Sequence, residues 1–344
     1  MNTTLKHSLA MAALGASSLI PFAAASAAEV NIYTSREPGL IQPLLDAYTK
    51  DTGVKINSIF VKEGLAERVK TEGANSPADL MIMVDIGNLN DLVDAGITQP
   101  IVSEKVDAAV PQHLRAKDDS WVAATLRSRV IYSSKDRVAD APKTYEELAD
   151  PKYKGKVCIR AGNHPYNIGL IAHMIVKDGE EKTEKFLTDL KANLARKAGG
   201  GDRDVARDIL AGICDVGIAN SYYVGLMRSG KGGDEQVKWG EAINVTLPTF
   251  ADGKGTHVNI SGVALAKNAP NKDEAVKLVE FLVTPEAQKI FAEGNYEYPV
   301  TDGAEVNEIV ASFGELKPDE TSLAEIAAAR KTAAELVDKV GFNN

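Results

Sequence analysis

Short apolar runs alternate with helix-spaced apolar positions through the first hundred residues. Glu29-Val-Asn-Ile-Tyr33 reads as a strand. Leu40, Ile41, Leu44, Leu45 and Tyr48 then recur at the spacing of one helix face. Pro38 suits the first turn of that helix and Gly53 its end. Val54 to Val61 reads as the next strand, Leu65 to Glu72 as a helix, Asp79-Leu-Met-Ile-Met-Val84 as a buried strand, and Gly87 to Ala95 as a helix. This alternation predicts a parallel sheet covered on both faces.

A second series starts near Arg129. Val130-Ile-Tyr132, Lys156-Val-Cys-Ile-Arg160 and Ile213-Cys-Asp-Val-Gly-Ile218 read as strands. A short helix follows Thr144, and further helices are predicted over Ile168–Val176, Lys182–Leu190, Arg203–Gly212 and Tyr222–Met227, with a polar, Gly-rich loop over Ser229–Glu235. The pattern then changes again. Gly255 to Leu265 is β-rich, Asp273–Val283 and Glu286–Glu293 are amphipathic, and Leu323 to Val340 is Ala-rich and helical. Two α/β units followed by more material of the first kind suit a chain that crosses between two lobes and returns, with crossings near Leu126–Val130 and Val258–Val263. The expected division is 1–28 leader, 29–126 first lobe, 127–257 second lobe, 258–302 return to the first, and 303–344 a helical tail packed on the second. A cleft between lobes is a common small-molecule site.

The leader is read from Lys6 and His7, the small apolar stretch Ser8 to Ala25, and Ala25-Ser-Ala-Ala28, with cleavage expected after Ala27 or Ala28. It predicts export to the periplasm. No later stretch is apolar enough to span a bilayer. Losing the leader removes Lys6 and no acidic residue, taking the net charge from -9 to -10. So acidic a chain, lacking a basic stripe, is a poor partner for nucleic acid. In an oxidising compartment its only two cysteines, Cys158 and Cys214, are expected to pair.

That pairing organises the candidate chemistry. Tyr166 lies eight residues after Cys158, and Tyr222 lies eight after Cys214. If the cysteines are bonded, their strands are neighbours in similar register, and Tyr166, Tyr222 and Tyr223 emerge around one mouth, beyond the carboxyl ends of the strands. The residues alone leave two readings open. The rings pack and hydrogen-bond as amphipathic groups, or a hard trivalent cation draws off their protons and takes phenolate ligands. A softer divalent metal prefers Cys or His, and no such cluster has metal-ligand spacing. His164 and His173 are nine apart, and His164 reads as a solvated loop residue beside the site. Arg36, before the first helix, and Arg127 or Arg129, at the first crossing, are candidates to hold an anion, with Arg127 preferred. Glu37 is a further candidate to approach a metal, and Asp85 either faces the mouth or caps the next helix.

Asn163-His-Pro-Tyr-Asn167 and Ala219-Asn-Ser-Tyr-Tyr-Val-Gly225 resemble the tyrosine motifs of periplasmic ferric-iron-binding proteins, the transferrin-like substrate-binding components of iron ABC transporters. Further matches are Glu72-Gly-Ala-Asn-Ser-Pro-Ala-Asp79, Leu126-Arg-Ser-Arg-Val130, Thr144 to Pro151, Gly255-Thr-His-Val-Asn-Ile-Ser-Gly262 and Asn295-Tyr-Glu-Tyr-Pro299, so the resemblance covers nearly all of the chain after the leader. It implies a type II periplasmic binding protein, α/β, each lobe a mostly parallel sheet flanked by helices, with a hinge of two crossing strands. It also implies Fe(III) ligation by Tyr166, Tyr222 and Tyr223, a permease as partner, a monomer, and no enzymatic activity. Several members carry a His-Tyr pair after the first strand. Here that place reads Arg36-Glu-Pro-Gly39, which resembles the subgroup with three tyrosine ligands and an anion such as carbonate completing the shell.

Two other classes compete. An arginine-lined cleft suits a phosphonate, sulfate or organic acid. A secreted hydrolase would need machinery the chain lacks: there is no Gly-x-Ser-x-Gly, His-Glu-x-x-His or phosphate-cradling loop, and the adjacent pairs Glu146-Glu147 and Glu180-Glu181 point apart on their helices.

Overall fold

A computed structural model describes residues 28–344. The leader expected over 1–28 therefore lies, apart from Ala28, outside the described residues. The first unit contains β1 (Glu29–Thr34), α1 (Pro38–Thr52), β2 (Lys55–Phe60), α2 (Leu65–Glu72), β3 (Leu80–Val84), α3 (Ile86–Asp94), β4 (Thr98–Gln99) and α4 (Glu104–Ala109). The helix spacing read from sequence is realised in α1, which turns Ile41, Leu44, Leu45 and Tyr48 inward. Each such side chain contributes about 1.5–3 kcal/mol on burial. Gly53 ends this helix at φ 73, in the left-handed region that a Cβ disfavours.

The long strand β5 (Val122–Ser134) leads to β6 (Val157–Ile159), α5 (Pro165–Asp178), α6 (Glu180–Ala192), α7 (Asp202–Leu210), β7 (Val216–Asn220), α8 (Tyr222–Arg228), α9 (Asp234–Glu241) and β8 (Ile243–Thr246). The chain then returns through β9 (Val258–Ala266), α10 (Lys272–Leu282) and α11 (Pro285–Asn295), and ends in α12 (Glu308–Ala311), α13 (Leu323–Ala328) and α14 (Arg330–Val340). The strands run in the order β2-β1-β3-β9-β5-β7-β6, with β4 beside β9 and β8 beside β5. Pairing is parallel within β2-β1-β3 and between β6 and β7, and antiparallel wherever β5 or β9 takes part. The sheet is thus mixed.

Along β5 the partner changes. Val122 to Ser128 pair with β9, and Arg129 to Ser133 pair with β7. All thirteen residues of β5 are buried, although the periodicity predicted only Val130–Tyr132. Leu126-Arg-Ser-Arg129 looks polar in sequence because its arginines reach partners far along the chain. The Ser229–Glu235 loop is shorter than expected, since α9 starts at Asp234. The tail is two helices instead of one, broken at Ala329. There α14 packs on α5 and α6, and α13 on α5 and α3.

Cys158 and Cys214 are bonded, with Cα atoms 5.8 Å apart. One detail of the sequence reading changes. Cys214 precedes β7, and Cys158 faces Gly217 across the parallel pair. The bond therefore ties β6 to the approach to β7. A second buried tie involves His173 of α5. Its Nδ1 lies 2.9 Å from Nδ1 of His257, and its Nε2 lies 3.0 Å from Asp319, which also pairs with Lys177 at 2.5 Å. Because the Asp319 carboxylate accepts, His173 carries its proton on Nε2 in the neutral form. His257 then donates from Nδ1, which leaves its buried Nε2 without a partner. Among the described residues no helix is long and apolar enough to cross a membrane.

Candidate functional site

Two helix starts deliver three phenols to one place. Pro165 and the cap residue His164 start α5, so Tyr166 sits in its first turn. Tyr222 and Tyr223 open α8, directly after β7. Ser128 fixes that second start: its N–H donates to Ser221 Oγ at 3.3 Å, and its carbonyl accepts from Ser221 N–H at 2.9 Å. The Tyr166 and Tyr222 hydroxyls lie 3.2 Å apart, and the rings of Tyr222 and Tyr223 are 4.2 Å centre to centre. All three are half-buried and line a cavity of about 470 Å³.

The opposite wall belongs to the first unit and its return. Arg36 and Arg127 are buried and converge on the hydroxyl of Ser261, at 2.7 and 3.1 Å. Both face Glu297: Arg36 is ion-paired to it directly, and Arg127 lies 3.8 Å from its Oε1. Thr125 Oγ1 donates to the same carboxylate at 3.0 Å. Two buried guanidiniums and one buried carboxylate leave the buried part of this wall with a net single positive charge. Glu37 is exposed at the start of α1 and also lines the cavity.

A matching group lies beneath the tyrosines. Arg129 donates to Asp202 at 2.6 Å, to Asn220 Oδ1 at 3.1 Å and to Asn167 Oδ1 at 2.6 Å. Asp202 also accepts from Asn220 N–H at 2.8 Å and from Arg160 at 3.3 Å. Asn167 follows Tyr166, and Asn220 lies just before Ser221 and Tyr222, so one buried ion cluster positions the starts of both α5 and α8. Arg129 is therefore structural and is not a lining residue. Arg160 lies 5.1 Å from the Tyr166 ring centre, Arg127 lies 5.7 Å from it, and Arg203 lies 5.7 Å from the Tyr223 ring centre.

Burial pushes the Tyr222 hydroxyl well above the ordinary phenol value, and the neighbouring phenols Tyr166 and Tyr223 raise it further, while Arg127 opposes them. Burial raises Tyr223 as well. Without a cation Tyr222 and Tyr223 therefore stay protonated. A cation that binds here must displace those protons, which a hard, highly charged ion does best. Among the described residues no group of three or more His, Cys, Asp or Glu side chains is placed to hold a metal ion.

The structure decides between the two readings of Asp85 and changes that of His164. Asp85 does not line the cavity. It caps α3, accepting from Gly87 N–H at 2.9 Å and from Asn259 at 2.8 Å. His164 is not a solvated loop residue. Its Nδ1 accepts from Tyr166 N–H at 3.2 Å, and burial, then Arg160, lowers its pKa to about 4, so the ring is a neutral helix cap. Arg36, a candidate to hold an anion, is also ion-paired to Glu297. Glu297, Ser261 and Arg203 were not singled out from sequence. Glu297 lies inside the Asn295–Pro299 stretch, but its partner Arg36 is 261 positions away, and only the fold brings them together.

The bacterial extracellular solute-binding protein family matches residues 33–289. The chain is 42% identical over 316 residues to iron uptake protein A1 of Synechocystis, covering 91% of this chain and 87% of that protein. It is similar to the solved Bordetella ferric binding protein, with 60% identity, a TM-score of 0.89, and coverage of 92% of this chain and 100% of that one. It also resembles a Trichodesmium protein solved in complex with iron and citrate ligands, with 42% identity, a TM-score of 0.86, and coverage of 91% and 99%.

Proposed function

Since the chain belongs to the bacterial extracellular solute-binding protein family, we propose that it is a periplasmic carrier that captures ferric iron and hands it to an ABC permease, without catalysing a reaction. The observation that carries this reading is the convergence of Tyr166, Tyr222 and Tyr223 on one cavity, with two of the hydroxyls 3.2 Å apart. Its similarity to an iron uptake protein and to a ferric binding protein supports it. Three phenolates neutralise the three charges of Fe(III), and phenolate oxygen is a hard donor suited to that ion. A neutral ferric tris-phenolate beside the net positive charge of the buried Arg36, Arg127 and Glu297 leaves room for an anion. We assign that place to carbonate or a small carboxylate held from the Arg36 and Arg127 side, with Glu37 at the mouth.

In this mechanism the tyrosines of α5 and α8 take the ion first, and their protons leave to solvent. The first unit then closes about β5 and β9 and brings the arginine wall and the anion over the ion. Ligand stabilises the closed form by its differential affinity for it. The loaded monomer docks on the permease.

The test is a visible absorption titration of metal-stripped protein with ferric nitrilotriacetate, with and without bicarbonate. A saturable tyrosinate-to-iron charge-transfer band at one equivalent, absent in Tyr222→Phe, is expected. No band at any iron concentration rejects the ferric reading and leaves the arginine wall as the site of an organic or inorganic anion.

A further inference from the structure

The helix that presents Tyr222 and Tyr223 also carries, one turn on, a residue with no side chain. A Cβ placed on buried Gly225 would overlap Cγ of Tyr296 and lie 2.5 Å from its Cβ. The Tyr296 ring therefore lies directly on the backbone of α8. Tyr296 belongs to the other wall: it ends α11 and is followed by Glu297, the carboxylate between Arg36 and Arg127. It holds φ at 58, the left-handed value that helix ends normally give to glycine. A large ring in that conformation persists only where its surroundings fix it.

The Gly-rich loop after α8 supplies a second hold on the same place. The Lys231 ammonium lies 4.8 Å from the centre of the Tyr296 ring. It also donates to the carbonyls of Glu293 and Gly294, each at 3.3 Å. Those carbonyls close the C-terminal end of α11, where a cation is favoured by the helix dipole as well as by the ring face. Thus α8 and its loop grip the end of α11 at a backbone step, a ring and a cation, and none of these groups is one of the three phenols.

We infer that Gly225, Tyr296 and Lys231 form a closure latch, positioning residues that let the two walls meet over the cargo and hold them there; this rests on the ferric-carrier reading above. Because the latch and two of the phenols share one short helix, seating the ion on Tyr222 and Tyr223 fixes the surface that Tyr296 must meet. The latch acts on retention and leaves the metal's donor set unchanged.

The experiment compares wild type, Gly225→Ala and Lys231→Ala, each loaded with ferric nitrilotriacetate. Three readouts are taken: the charge-transfer band, the radius of gyration by solution scattering, and the rate of iron loss to an excess chelator. Filling a packed contact with one methyl lowers the closed population by about tenfold or more. The latch predicts that Gly225→Ala keeps the band at the wild-type wavelength, shows a larger radius when loaded, and releases iron at least about tenfold faster. Lys231 is exposed, so Lys231→Ala folds normally, and it is expected to release iron severalfold faster at an unchanged wavelength. That variant carries the test if Gly225→Ala does not fold. Wild-type radius and release rate in Lys231→Ala together with a folded Gly225→Ala, or in Lys231→Ala alone if the other is unfolded, overturn the latch. A wild-type chain with no band refutes the ferric reading itself and takes the latch with it.

Discussion

Removing the charge of Asp202 tests how the tyrosines are held. Asp202 is fully buried and accepts from Arg129 at 2.6 Å, from Arg160 at 3.3 Å and from Asn220 N–H at 2.8 Å. Two of these are hydrogen bonds between charged groups, worth about 1.5–3 kcal/mol each, and the third is worth about 1 kcal/mol. Asp202→Asn keeps the shape but leaves Arg129 and Arg160 without their counter-ion, and breaking a buried pair in this way costs about 3–5 kcal/mol. Both routes give a similar figure, a large share of the roughly 5–15 kcal/mol that holds a folded domain together. The assay is urea unfolding of the metal-free protein at neutral pH, followed by tryptophan fluorescence and circular dichroism. The single variant Arg129→Met and the double variant Arg129→Met/Asp202→Asn are measured beside it, because removing both partners of a buried pair costs less than removing one. A loss under about 1 kcal/mol in Asp202→Asn, or a double variant as unstable as the sum of the singles, refutes the reasoning.

Three further outcomes are expected. Tyr166→Phe removes one donor and the 3.2 Å contact with Tyr222; it is expected to weaken ferric binding by at least about a hundredfold, with little change in melting temperature, by competition against a chelator. The disulfide closes a sequence separation of 56 residues, so replacing both cysteines with serine is expected to cost about 4 kcal/mol in urea unfolding. Burial holds both His257 and His173 below the ordinary imidazole value. The unfolded chain therefore takes up protons near pH 6.5 that the folded chain does not. Stability is complete above that pH and falls as the solution acidifies, by about 1 kcal/mol per pH unit for each histidine. Thermal melting of the metal-free protein from pH 8 to pH 5 checks the sign, and a midpoint that rises on acidification contradicts it.

The local pattern was a good guide where one side chain decides one position. The inward face of α1, the α2 boundaries and the buried strand β3 follow from apolar spacing and from Pro and Gly punctuation. The tyrosine pair at the start of α8 stood out because Tyr222 follows Cys214 by eight residues, as Tyr166 follows Cys158, although packing and phenolate ligation both stayed open. The apolar pattern caught only Val130–Tyr132 of β5, because arginines interrupt a strand that is buried along its whole length. It failed on His164, whose role as a helix cap depends on which backbone N–H groups the fold leaves unpaired, and it left Asp85 open between the mouth and the cap.

What the sequence determined by itself is three phenols near two helix starts, two cysteines placed to pair, and an alternation of strands and helices that makes an α/β fold. Each follows from residue type and spacing, which act over a few residues. What only the tertiary structure decided is how charge is arranged around those phenols. Arg36 meets Glu297 and Arg129 meets Asp202 across 261 and 73 positions, and Tyr296 comes to rest on Gly225 from the opposite wall. Such pairings are fixed by chain crossings at β5 and β9, because a buried charge must find its partner wherever the fold delivers one.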